Sequence, residues 1–141
     1  MAHLNAILVL AETAKDAPDS YGGKLEYPGQ FKSLAQDVVK ELTKKQIMPV
    51  GSDPGKIILA GHSGAYRVMA NILQNGKIAV QKVILFDALY GETDKFMQWI
   101  KEDSTHSFVN WFTDSGGGTF FYWMYPAFKL DLVDEHMPEL R

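Results

Sequence analysis

The sequence predicts an α/β fold, a three-layer sandwich around a mainly parallel sheet of about five strands. Three observations carry that expectation. Short apolar runs alternate with amphipathic stretches along the chain, the pattern of successive βαβ units. One stretch, Lys56–Leu73 (KIILAGHSGAYRVMANIL), passes from an apolar run through a turn of small residues straight into a helical repeat. Right-handed crossovers between such units open every post-strand loop on one edge of the sheet, where ligands of open α/β sheets bind.

The elements follow in order. Asn5–Ala11, NAILVLA, is short and continuously apolar, so it reads as a fully buried strand. Glu12–Gln30 holds two prolines and three glycines and reads as a long loop. Phe31–Gln46 is an amphipathic helix, with Leu34, Val38, Val39 and Leu42 spaced for one buried face. Pro49, Gly51, Pro54 and Gly55 then break the chain. The strand Ile57–Ala60 leads through Gly61-His62-Ser63-Gly64-Ala65 into a helix with Val68, Ile72 and Leu73 on one side, stopped at Asn75-Gly76. Val83–Phe86 is the next strand, Glu92–Lys101 the next helix, and Ser107–Phe112 a further strand. Phe120–Phe128 reads as a short aromatic helix, and Lys129–Val133 alternates like an edge strand.

A chain of 141 residues forms one domain, residues 1–141, able to bury roughly two thirds of its unfolded surface. Its 46% hydrophobic and 22% charged content are those of an ordinary soluble protein. A net charge of −3 gives no electrostatic case for nucleic acid or an anionic membrane. The absence of cysteine excludes disulfides and thiolate metal sites. No apolar run approaches the ~20 residues of a membrane span, and no basic region precedes the N-terminal apolar run as in a signal peptide. The expected setting is cytoplasmic.

The chemistry centres on Ser63. A serine on a tight strand-to-helix turn has a strained backbone, and bulk two positions to either side would collide with the adjoining strand and helix. Gly61 and Ala65 fill those positions. The N–H of Gly64, at the head of the helix, is placed for an oxyanion beside Ser63. With these residues the chain resembles the α/β-hydrolase family, Ala65 standing for the last glycine of the nucleophile-elbow motif. The competing assignment of Ser63 is a helix N-cap. GSDPGK, at 51–56, does not make a phosphate-binding P-loop, because Ile57 stands where Ser or Thr must hold magnesium.

A serine nucleophile needs a histidine to take its proton and a carboxylate to orient that histidine. His3 and His106 precede strands and fall at the opposite edge of the sheet, and the residue before an elbow nucleophile, here His62, points away from it. His136 remains, where the family's order of serine, acid, histidine implies it. Its alternative is a solvated tail residue. The resemblance implies Asp114 as the acid, with Asp87 the position some members use; Asp114 also suits an Asx turn, and Asp87 a helix cap. Asp19, Ser20, Tyr21, Gly22 and Asp87 lie on the loops of the active edge and are candidates for substrate contact.

The resemblance spans roughly Asn5 to His136, without the upstream strands and the second oxyanion-donating loop of the family. It implies a truncated α/β-hydrolase-like domain acting on a small-molecule acyl substrate, with no metal or cofactor. An unpaired apolar strand edge also favours a homo-oligomer, built across that edge or the aromatic segment. The rival expectation is a catalytically silent hydrolase core serving as an oligomeric binding or scaffold domain. A flavodoxin-like nucleotide binder shares the architecture but needs a glycine-rich G-x-G-x-x-G loop that this chain lacks.

Overall fold

The computed structural model describes residues 6–11 and 21–112. A 3₁₀ turn at Gly23–Glu26 leads into helix α1, Gln30–Lys44. Then follow strand β1, Ile58–His62, helix α2, Ala65–Asn75, strand β2, Lys82–Phe86, helix α3, Thr93–Glu102, and strand β3, Ser107–Trp111. The expected helices before residue 113 and the strands expected at 57–60, 83–86 and 107–112 form within a residue or two of their sequence boundaries.

The strands make one parallel sheet in the order β1-β2-β3. Ile58 pairs with Lys82 and His62 with Phe86, and the same β2 residues pair onward with Ser107 and Trp111. Among the described residues the sheet therefore has three strands, where the sequence predicts about five. The α/β class and the parallel geometry hold.

Register aligns side chains in rows across the sheet. Leu59, Val83 and Phe108 form one row, and Gly61, Leu85 and Asn110 the next. Both rows face α2 and α3. Val83, Leu85, Phe96, Ala70 and Ala88 are fully enclosed there, joined by Val68, Met69, Ile72, Met97 and Trp99. Helices α2 and α3 each present one apolar stripe to this core, which is why their apolar residues recur at helical spacing. Phe96 and Phe108 meet with ring centroids 5.7 Å apart.

The first predicted strand is not formed. Ala6–Ala11 has no regular structure and is exposed throughout, with Leu8 at 84% and Leu10 at 87%. Its composition fits a buried strand, but burial needs a neighbour, and the segment pairs with none of the described residues. Helix α1 forms as expected, yet none of its residues is fully buried; Leu34, Val38, Val39 and Leu42 are only partly covered. It is anchored at its start, where Gly29 N–H donates to Asn75 O at 2.8 Å and Lys32 N–H to Gly76 O at 3.1 Å. Phe31 packs against the core cluster, so α1 begins on the helical face of the sheet beside the end of α2.

The predicted aromatic helix Phe120–Phe128 and strand Lys129–Val133 lie outside the described residues. The predicted loop Glu12–Gln30 is described from Tyr21 onward, where it contains the 3₁₀ turn.

Candidate active site

At the C-terminal end of β1 the backbone turns through Ser63 with φ at +51°. A residue with a Cβ pays on the order of 1–3 kcal/mol in this left-handed region and keeps it only where its surroundings enforce it. Here the sheet does so: Ser63 N–H donates to Phe86 O at 3.2 Å, one step beyond the β1–β2 ladder. Gly64 then returns to right-handed helical geometry at φ −58°, and α2 starts at Ala65. This is the strand, strained serine and immediate helix that the sequence predicts.

The small residues have the predicted cause. A Cβ on Gly61 would lie 2.5 Å from Met69 Sδ and 2.6 Å from Ala65 Cβ. Glycine at 61 and alanine at 65 are therefore paired requirements, since β1 and the first turn of α2 meet there. The N-cap assignment of Ser63 is not what forms: the cap position is Gly64, and the helix start has no side-chain cap. The first N–H groups of a helix have no intrahelical acceptor, so the Gly64 N–H is of the kind that can serve an oxyanion.

Asp87 holds the equivalent place on the next strand. It follows Phe86, the partner of His62, and so stands beside Ser63 across the sheet edge. Its φ is also positive, +46°, and its N–H donates to Trp111 O at 2.6 Å. Helix α3 starts only at Thr93, after Glu92 at φ +57° with no side-chain cap, so Asp87 does not cap it. Tyr66 and Tyr90 meet edge to face between these two strand ends, centroids 6.1 Å apart.

Of the described loop residues, Tyr21 and Gly22 are brought to the first turn of α2 and are held there. The Arg67 guanidinium lies 5.3 Å from the Tyr21 ring centroid. Glu26 binds Arg67 Nε at 3.2 Å and accepts from Gly22 N–H at 2.7 Å. A Cβ on Gly22 would collide with Val68. The Tyr21 hydroxyl shares a 2.9 Å hydrogen bond with Tyr27, which, as the largest cause, raises its pKa above the usual phenol value. Sequence reasoning missed this Glu26–Arg67 strap. Its one visible signal is a charged residue, Arg67, on the apolar helix that follows the elbow.

The two described histidines sort as topology predicts. His62 is exposed on the sheet face away from α2. His106 lies at the opposite edge, its ring stacked on Trp99 at 4.2 Å and its Nδ1 donating to Trp99 O at 2.6 Å. His3, His136, Asp114, Asp19 and Ser20 lie outside the described residues. Among the described residues no three metal-ligating side chains cluster, and no helix is long and apolar enough to cross a membrane.

A second feature missed from sequence is Asn110, in the row of Gly61 and Leu85. It is 2% exposed, and its Oδ1 has no hydrogen-bond partner. Sequence alone places an asparagine within an apolar strand but does not say which face it takes. Compared with protein families, curated proteins and solved structures, the chain matches none.

Proposed function

We propose that the protein is a serine hydrolase of α/β-hydrolase type, acting on a small carboxylic ester or related acyl substrate. The observation that carries this reading is the strained Ser63 itself, at φ +51° on a strand-to-helix turn whose flanking positions 61 and 65 tolerate little bulk. A left-handed non-glycine residue that is over-determined by its surroundings is characteristic of functional turns.

In this reading Ser63 Oγ bonds to the carbonyl carbon while its proton passes to His136. The tetrahedral oxyanion takes a hydrogen bond from Gly64 N–H. Collapse expels the alcohol, which leaves with the proton from His136, and water then releases the acid by the same route. Asp114 orients His136, with Asp87, beside Ser63, as the alternative acid. The setting is cytoplasmic, and no step needs a metal or cofactor. Each oxyanion donor is worth ~10²–10³ in rate, which is the contribution expected of the Gly64 N–H.

The test is intact mass after exposure to a fluorophosphonate, beside a Ser63→Ala control. A single adduct lost in the control supports an activated serine. No adduct leaves the turn as architecture and favours the scaffold reading.

A further inference from the structure

Among the described residues nothing pairs with the outer edge of β1, and the geometry points to its occupant: the segment Ala6–Ala11 of a second copy of this chain. The direction of the β1 ladder fixes which groups are open. Gln81 N–H donates to Ile57 O and Ser63 N–H to Phe86 O. In a parallel ladder both backbone groups of a residue turn to the same side, so the odd-numbered residues of β1 face β2. Ile58, Ala60 and His62 accordingly turn their N–H and C=O groups outward. The side chains of the same three residues lie on the face away from the helices and are exposed, Ile58 at 58%. None of the three is a lysine, arginine, aspartate, glutamate or proline, the residues that keep edge strands apart.

The same chain holds an unpaired element that matches this edge. Ala6–Ala11 is six residues of continuous apolar sequence, uncharged, with Ile7, Leu8, Val9 and Leu10 all about half exposed or more. β1 is five residues long. One molecule thus presents a strand-length donor and a strand-length acceptor, neither filled by the described residues. Two copies that exchange these segments fill both at once, which is a closed, two-fold arrangement that leaves neither segment for a third copy.

Chirality agrees with the position. The sheet advances from β1 to β2 to β3, with α2 and α3 on one face. Helix α1 begins on that same face. A right-handed connection through α1 into β1 reserves the place on the far side of β1 for the strand preceding α1. Nine residues lie between Ala11 and Tyr21, an extended reach of ~30 Å, which lets this segment cross to a neighbour. The inference stands apart from the catalytic reading, since it uses the side of β1 that carries no part of Ser63's hydrogen bonding.

Light scattering of the full chain at high micromolar concentration, paired with amide hydrogen exchange at Ile58, Ala60 and His62, tests it. The expected result is a dimer whose three edge amides are protected. Leu8→Lys with Leu10→Lys, both at exposed positions, then weakens dimerisation about tenfold or more and exposes the edge amides, with an unchanged circular dichroism spectrum. A monomer overturns the proposal, including one with protected edge amides, which means that the chain covers its own edge. A dimer with open edge amides, or one indifferent to the lysines, overturns it too.

Discussion

The two sides of β1 make opposite demands on alternate residues. Toward β2 and the helices, Leu59 lies in the core, Gly61 has no room for a methyl group, and Ser63 is pinned by the neighbouring strand. Toward the outer edge and the uncovered face, Ile58, Ala60 and His62 meet solvent. The candidate nucleophile is therefore set from one side only. Strain at Ser63 is held by β2 and α2, and the outer edge is free to take on an independent role.

Substitutions can break or sharpen that contrast. The largest effect belongs to the enclosed side: Leu85→Ala, at a side chain with no exposure, should cost about 3 kcal/mol in denaturant unfolding. Gly61→Val forces Met69 and Ala65 apart and should cost about 1–3 kcal/mol; it should also abolish fluorophosphonate labelling of Ser63, as the turn is displaced. Asn110→Leu, with the same branched heavy-atom skeleton, removes the unpaired buried Oδ1 and should be neutral or stabilise by about 1 kcal/mol. Ile58→Thr, on the exposed side, should shift the unfolding of the isolated chain by no more than about 0.5 kcal/mol. A cost for Ile58→Thr comparable to that of Leu85→Ala would erase the distinction between the two sides.

The smallest expected effect is a pH dependence far from the site. Asp103 accepts from Thr105 N–H and Oγ1, both at 2.8 Å, and the backbone bond is the main cause of its lowered pKa. A depressed carboxyl contributes stability above its unfolded pKa and loses it as pH falls through the lower folded value. Asp103→Asn should lower the neutral plateau of the stability profile slightly and leave its acid end nearly unchanged, which flattens the acid limb.

What was legible in the sequence was what is local. The elbow turn, Gly61 to Ala65, is specified by five consecutive residues, and α2, β2, α3 and β3 by their own periodicities. Non-local facts were not legible. NAILVLA carries the composition of a buried strand, but composition states a capacity for burial and not the presence of a neighbour. The same holds for the partly covered apolar face of α1. Glu26 and Arg67 stand 41 positions apart, beyond the reach of any spacing rule, and the orphaned Asn110 reveals itself only through the register that sets it beside Leu85. Chemistry supplies the need for a base and an acid, while the chain order that selects His136 and Asp114 comes from the resemblance; both residues fall outside the described part of the chain.

The register of the sheet also bears on how the chain finds its fold. Ile58 and its partner Lys82 are 24 residues apart, and Lys82 and Ser107 are 25 apart. The entropy of closing a loop grows only logarithmically with its length, so the two ladders cost nearly the same to close. Neither unit has a head start from connectivity, and side-chain burial decides the order. Beyond the shared strand β2, α3 and β3 bring Phe96, Met97, Trp99 and Phe108 to the core, and β1 and α2 bring Leu59, Val68, Met69, Ala70 and Ile72. The serine turn rests on Phe86 O of β2, so its left-handed backbone needs β2 in place, whichever ladder closes first.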